Sequence, residues 1–250
     1  MLFYFLPFSL LYGQNIPITH GDFKAEQALR KLYDEARVVS CQIFSNEKDK
    51  ENPQLILSQE YDREGKMTQE LEFEYNVEKE ANDTFVNTFT YDAKGLLSGY
   101  NTGRYDIMGG YIYNDKNELR YYGMSGAEAR TFSFVYKKGL LIQEIGNGAT
   151  QLTEEGRPNW TKFEERFFEY NHKKQRVGEK YYFFGNLSVT KEYVYDKKGY
   201  LSQEKMWYGE KTGEPYNILT YSYGDNHLLT AIQNTEEGVT LSYKYTYSDW

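Results

Sequence analysis

Tyr195-Asp196-Lys197-Lys198-Gly199-Tyr200-Leu201 decides how this chain is read, because it recurs. Two further copies are as clean: Tyr61-Asp62-Arg63-Glu64-Gly65-Lys66-Met67 and Tyr91-Asp92-Ala93-Lys94-Gly95-Leu96-Leu97. The order of residues describes a turn. Asp opens a type I turn, since its carboxylate bonds main-chain N–H groups two residues on. Gly, three residues later, supplies the left-handed conformation that closes a short hairpin loop with a bulge. The geometry predicts positive φ at Gly65, Gly95 and Gly199. It also sets Tyr61 opposite Met67, Tyr91 opposite Leu97 and Tyr195 opposite Leu201. Aromatic–aliphatic pairs of this kind contribute about 0.2–1 kcal/mol each.

Degenerate copies start at Tyr113, Tyr136, Tyr170 and Tyr223, and the chain runs out at Tyr247-Ser248-Asp249. Asn117 stands where Gly is expected, and Asn tolerates positive φ best among residues with a Cβ. The copy at Tyr136 lacks one residue, and a two-residue turn at Lys138-Gly139 sets Tyr136 opposite Leu141. The copy at Tyr223 keeps the length and moves its Gly to position 224. The copy at Tyr170 reads as one residue longer, ending at Val177.

The flanking segments alternate as half-buried strands do. Leu71, Phe73 and Tyr75 share one face, with Glu72 and Glu74 on the other. Phe132, Phe134 and Tyr136 repeat the pattern, as do Leu219, Tyr221 and Tyr223, and then Leu241, Tyr243, Tyr245 and Tyr247. Each interval between motif tyrosines holds two strands and a second turn. Asn101-Thr102-Gly103, Gly146-Asn147-Gly148 and Gly209-Glu210-Lys211-Thr212-Gly213 read as those turns, and Glu155-Gly156-Arg157-Pro158-Asn159 as a loop insertion. An internal repeat of this length means a repeat architecture. The expected fold is all-β: an elongated antiparallel β-meander built from hairpin repeats, with one short N-terminal helix.

The Tyr-Asp-x-x-Gly-x-Leu cores resemble the YD repeats of the RHS family, over roughly Tyr61 to the C-terminus. The chain departs from the family pattern where Arg usually follows the Gly, having Lys66, Leu96 and Tyr200 there. The resemblance implies a β-repeat architecture.

Twenty-six Tyr and fifteen Phe in 250 residues suit a sheet with a partly wet face, since Tyr has an apolar body and a polar tip. The segment Met1 to Gly13 is apolar and stops at Gln14-Asn15, which has the length of a signal-peptide apolar region and is too short to span a bilayer. Such a leader resembles those of exported proteins from Bacteroidetes-type bacteria. The expected organisation is a signal peptide at 1–13, a segment with helix and first strand at 14–52, and the YD-type repeat domain at 53–250. The mature protein is expected in the periplasm or outside the cell. Phe23 to Ala36 reads as a helix with an apolar stripe of Ala25, Ala28, Leu29, Leu32, Tyr33 and Ala36. The single cysteine, Cys41, excludes an intrachain disulfide, is too far from the leader to be a lipoprotein attachment site, and reads as a buried, inert thiol.

No catalytic signature stands out. The three histidines, His20, His172 and His227, lie far apart with no zinc-like spacing. No phosphate loop, nucleophile elbow or calcium-loop pattern is present. No cofactor, metal or catalytic residue is therefore assigned. Glu154-Glu155 and Glu164-Glu165 invite a glycoside hydrolase reading, but a chain with thirty-seven acidic residues makes such pairs by chance. A net charge of −8 without a basic run argues against nucleic acid and anionic membranes. The densest aromatic region runs from Trp160 to Phe184. Within it Trp160, Tyr181 and Tyr182 are candidate ligand-binding residues if the aromatics are not simply the buried face of the sheet. The expected function is that of an exported, non-catalytic binding or structural module. A glycan-binding surface protein using exposed aromatics is the first alternative and a glycoside hydrolase the second.

Overall fold

The computed structural model describes residues 23–47, 51–76, 81–103, 107–125, 129–152 and 158–248. The expected signal peptide, His20 and Glu154-Glu155 lie outside the described residues. One helix, α1 (Phe23–Glu35), precedes β1 (Val38–Ser45), β2 (Gln54–Tyr61), β3 (Met67–Asn76), β4 (Ala81–Tyr91), β5 (Leu97–Thr102) and β6 (Ile107–Tyr113). Then come β7 (Leu119–Ser125), β8 (Arg130–Lys137), β9 (Leu140–Leu152), β10 (Pro158–Tyr170), β11 (Arg176–Phe183) and β12 (Asn186–Tyr195). The last four are β13 (Leu201–Tyr208), β14 (Asn217–Tyr223), β15 (Leu229–Asn234) and β16 (Thr240–Tyr247).

Every strand pairs antiparallel with its neighbour in sequence, as the repeat requires. The sheet is nevertheless not an open meander. β1 pairs β2 on one side and β16 on the other, through Cys41↔Tyr245 and Ile43↔Tyr243, so the strands close into a barrel. Closure leaves no sheet edge to protect. It also puts β1, which precedes the repeats in sequence, into the same wall as them.

The turns follow the motif chemistry. Gly65, Gly95 and Gly199 have φ of 69°, 76° and 93°. Asn117, Lys174 and His227, each four residues after a motif tyrosine, have φ of 58°, 62° and 66°. Lys138 and Gly139 are both left-handed, as a two-residue type I′ hairpin demands. Asp62 Oδ1 accepts from the main-chain N–H of Glu64 and of Lys66, both at 2.9 Å. The registers Tyr61↔Met67, Tyr91↔Leu97, Tyr136↔Leu141 and Tyr195↔Leu201 are the expected ones. The copy at Tyr170 is not longer than the others: Tyr170 pairs Arg176, and Lys174 takes the glycine's place. Gly146 and Gly148 form no turn. They lie within β9, whereas Gly209 and Gly213 do bound a loop.

One feature explains both closure and a misread face. In all seven motif hairpins the register slips by one residue just after the post-turn position, so that Thr68, Ser98, Val177 and Ser202, for example, are extra residues. A bulge bends its strand and increases local twist. Seven of them at one rim curl the sheet. Each also flips the side-chain alternation beyond it. Hence Glu70 and Glu72 pair Gln59 and Leu57 on the inner face, while Leu71 and Phe73 point outward with Val86 and Thr84.

The seven motif turns share one mouth of the barrel. Tyr33 of α1 is buried there among Val38, Leu228, Tyr61 and Tyr245, so the helix covers the seam where first and last strands meet. Larger inner-face clusters follow around the wall. Leu119, Tyr122, Phe132, Phe134, Leu141 and Phe168 pack along β7 to β10, and Leu219, Leu229 and Ile232 along β14 and β15. Burying each such side chain contributes about 1.5–3 kcal/mol.

Candidate functional site

Strand pairing separates the three aromatic candidates. Tyr181 lies on the inner face, where the Arg166 guanidinium sits 5.1 Å from its ring centroid. Tyr182 pairs Glu165 on the outer face and meets Phe167 edge-on at 5.7 Å. Trp160 is 44% exposed on the part of β10 that pairs Ala149, well beyond the β10–β11 ladder. The three do not form one site.

The adjacent carboxylates part in the same way. Glu164 is buried on the inner face beside Arg166. Glu165 points outward, taking hydrogen bonds from Gln143 Nε2 at 2.6 Å and Lys162 Nζ at 3.1 Å. They do not face each other across a pocket, which removes this pair as the two acids of a glycosidase.

What the inner wall does gather is a belt of buried charge. Arg166 reaches three carboxylates: Nη1 pairs with Glu144, Nη2 lies 3.3 Å from Glu164, and Nε lies 3.8 Å from Glu179. Lys191 Nζ holds Glu204 at 2.8 Å. Tyr193 donates to Glu179 at 2.6 Å and Tyr221 to Glu204 at 3.1 Å. Arg176, fully buried, lays its guanidinium on the Phe168 ring at 4.2 Å. These residues come from consecutive strands β9 to β14, so neighbouring rungs of the wall supply alternate signs. The belt holds four carboxylates against three cations, and Glu144 Oε2 has no hydrogen-bond partner among the described residues.

The electrostatics follow from burial first and neighbours second. Burial pushes Glu144 above the ordinary carboxyl range, more than Arg166 pulls it down. Burial would also raise Glu179, but Lys191, Arg166 and Arg176 outweigh it and hold that carboxyl low. Burial would lower Lys191, and Glu204 and Glu179 outweigh it and raise the ammonium. A second buried knot sits on β2 to β4. Glu70 accepts from Gln59 Nε2 and Asn87 Nδ2, both at 2.9 Å, and burial still raises it. Removing one partner from such a network strands a buried charge, so its chemistry is that of mutual neutralisation.

The residues of the belt escaped the sequence reading for two reasons. The bulges inverted the faces, and Arg176 occupies the slot where the repeat has an aliphatic residue. The available signal was the recurrence of one charged residue per strand, at Glu144, Arg166, Glu179, Lys191 and Glu204.

The mouth opposite the motif turns has another character. Phe183, Phe184 and Tyr208 are 44%, 58% and 72% exposed. Phe183 meets Phe184 edge-on at 4.7 Å and Phe163 at 6.3 Å. Tyr208 stacks on Tyr216 at 3.8 Å with the rings 9° apart. Behind them the loop between β13 and β14 folds over the outer face: Trp207 Nε1 donates to the Gly213 carbonyl at 3.1 Å, and Lys211 pairs with Glu192.

A cleft between α1 and the first two motif turns is lined by Arg30, Asp34, Glu64, Lys66, Asp92 and Lys94. Its charges serve the joint itself. Arg30 donates to the Gly95 carbonyl at 2.5 Å and lies over Tyr91, Lys66 pairs with Glu64, and Asp92 caps its own turn. Among the described residues no group of three or more His, Cys, Asp and Glu is arranged to hold a metal ion.

No protein-family model matches the chain, and no curated protein sequence does. Its barrel is similar to that of a solved porin-like protein from Bacteroides uniformis, at a TM-score of 0.59 and 10% identity, over 84% of this chain and 98% of the other. The likeness extends to the fold. A Photorhabdus luminescens Tc holotoxin pore also matches, at a TM-score of 0.19 and 11% identity over 15% of its chain, too slight to carry an argument.

Proposed function

We propose that this chain is an exported, non-catalytic β-barrel that works in water outside the cytoplasm as a binding or structural module, rather than as a pore through a bilayer. The observation that carries this reading is the chemistry of the outer face. A barrel in lipid needs an apolar band around its whole circumference, and a Lys or Arg at mid-depth of the lipid face costs about 2–4 kcal/mol. Here the register places Lys180, Glu192, Gln203, Lys205, Gln233 and Lys244 outward on β11, β12, β13, β15 and β16, with Thr220 on β14 and Gln42 on β1. Outward apolar residues are densest from β3 to β8, at Leu71, Phe73, Val86, Met108, Ile112, Tyr121 and Val135, among Thr84, Thr88 and Thr90, and continue more sparsely at Ile145, Phe167, Tyr182, Val194 and Ile218. From β11 onward the apolar residues alternate with the charged and amide side chains, so no apolar band runs unbroken around the circumference.

The inner face supports a rigid module. Its buried carboxylates on β9 to β13 are engaged by cations, and Glu70 by the amides of Gln59 and Asn87, instead of being presented to a substrate. Export rests on the apolar run before Gly13 and the polar residues after it. The test is to express the full chain in its host, release the periplasm by osmotic shock, and read the N-terminus by mass spectrometry. The expected result is a protein soluble without detergent that starts near Gln14. An intact N-terminus in the cytosol refutes export, and a protein that leaves the membrane fraction only in detergent refutes the aqueous barrel.

A further inference from the structure

The aromatics of the mouth opposite the motif turns are exposed where the same fold buries others. Tyr122, Phe134 and Tyr193 on the inner wall are each no more than 3% exposed. Phe183, Phe184 and Tyr208, at the ends of β11 and β13, are 44–72% exposed. Large aromatics in water lose the burial that usually accounts for them. Tyr208 and Tyr216 lie nearly parallel, the first ring covering the second, which leaves one flat face of Tyr208 open. Phe183 and Tyr208 both stand on the inner side of the rim. Phe183 pairs Glu164, and Tyr208 pairs Val189. One strand, β12, lies between theirs, and Tyr208 is level with Tyr181, two residues before Phe183, so their backbones are roughly 12 Å apart.

We infer that this rim is a carbohydrate-binding site, with Tyr208 and the Phe183–Phe184 pair as two platforms for the apolar faces of neutral sugar rings. The inference rests on the reading of the barrel as a module in water. Three observations select a neutral glycan. The rings are flat and separated, which suits the flat C–H face of a pyranose better than the interlocking knobs of a protein interface. The Tyr hydroxyls and the nearby side chains of Asn186, Asn234 and Glu236 are hydrogen-bonding groups of the kind that meet sugar hydroxyls. Glu236 stands beside Tyr216, its main-chain N–H donating to Asn217 Oδ1 at 3.4 Å. That acidic flank, on a chain of net charge −8, repels phosphate and sulfate groups. An apolar surface with a few polar groups converging on it is the ordinary make-up of a small-ligand site.

The test is calorimetric titration of the full barrel with maltohexaose, cellohexaose, N-acetylchitohexaose and a sulfated heparin hexasaccharide. At least one neutral hexasaccharide is expected to bind at millimolar concentration or below. Tyr208→Ala and Phe184→Ala are each expected to weaken that binding about tenfold. Both side chains are exposed, so the variants should keep the wild-type melting curve. Phe167→Ala, which removes an exposed aromatic on the outer face, is expected to bind as wild type. The inference is overturned if no neutral sugar binds, if the sulfated sugar alone binds, or if Tyr208→Ala binds as tightly as wild type. Solubility and localisation do not depend on these side chains, so failure here leaves the aqueous barrel standing. A failed fractionation test would leave the titration to be read in its own right.

Discussion

The hydroxyl of Tyr91 donates to the main-chain carbonyl of Met67 at 2.8 Å, reaching from its own hairpin to the one before. The relationship repeats around the rim. Tyr113 reaches Leu97, Tyr170 reaches Leu141, Tyr195 reaches Arg176, Tyr223 reaches Leu201 and Tyr245 reaches Leu229, all at 2.8–3.0 Å. Each acceptor is the post-turn residue that faces the preceding motif tyrosine. The repeat therefore codes two contacts with one side chain. The ring packs within its own hairpin, and the hydroxyl ties that hairpin to its predecessor. The last rung belongs to Tyr245, while Tyr247 pairs Val38 and is 46% exposed.

Removing one rung should cost what one hydrogen bond is worth. Tyr195→Phe is expected to destabilise by about 0.5–1.5 kcal/mol, since it leaves the Arg176 carbonyl without its hydroxyl partner. Tyr223→Phe should cost as much, and the double variant should show the sum, because each hydroxyl has its own acceptor. Urea midpoints measure this. A Tyr195→Phe protein as stable as wild type would show that the rungs contribute nothing.

Glycine at the fifth motif position has two uses that substitution separates. At Gly199 a Cβ meets only Gln175 Nε2 at 3.5 Å, so Gly199→Val pays mainly for the φ of 93° and should cost more than about 1 kcal/mol. At Gly65 a Cβ would overlap the Arg30 carbonyl of α1. Gly65→Ala should therefore loosen the helix from the mouth as well as strain the turn. Hydrogen exchange of the α1 amides reads the difference: faster in Gly65→Ala, unchanged in Gly199→Val. Equal exchange in both would remove the helix–turn contact from the account.

The turns were legible because they are local: Asp62, Gly65 and the Tyr61–Met67 register follow from seven consecutive residues. Even Lys174, which has no special propensity for positive φ, obeys the spacing, as does His227. Closure was not legible, since it depends on Cys41 meeting Tyr245 across nearly the whole chain. Neither was the inward turn of Glu70 and Glu72, because an extra residue such as Thr68 leaves no mark in composition. The charge belt was hidden by the same inversion, and Arg176 by standing in a slot where the repeat has Leu or Met.

Arg166 is the one cation that touches Glu144, Glu164 and Glu179 together. Arg166→Leu should cost about 3–5 kcal/mol, the penalty for stranding buried charge. Lys205→Met, on the outer face, should stay within about 0.5 kcal/mol of wild type. Guanidinium unfolding of both variants gives the comparison. Equal stability would mean the belt is well hydrated rather than sealed.

Cys41 is 1% exposed, and burial pushes its thiol up to about 12, more than the Tyr245 hydrogen bond lowers it. Little thiolate exists at neutral pH, and the thiolate is the reactive form. Ellman's reagent should leave the folded protein unmodified for hours and label one thiol on denaturation. Rapid labelling of native protein would place β1 outside the barrel wall.

Glu144 gives the belt a pH dependence whose sign can be stated in advance. Its folded value is raised above the ordinary 4.5, so the folded state holds the proton more tightly than the unfolded chain does. Stability from this group is then fully present below about pH 4.5 and is lost as pH rises through the folded value. Glu179, held low, acts the other way: its contribution is present above the ordinary value and lost as pH falls. The two are separated by Glu144→Gln, which keeps the acceptor for Arg166 and cannot titrate. The stability of wild type relative to Glu144→Gln should be greatest near pH 4 and decline towards pH 8. The loss of stability on acidification due to Glu179 should remain in both proteins. Urea midpoints collected at half-unit steps of pH measure the difference directly. A constant gap across the range would mean that Glu144 titrates alike in the folded and unfolded protein, Arg166 cancelling the effect of its burial.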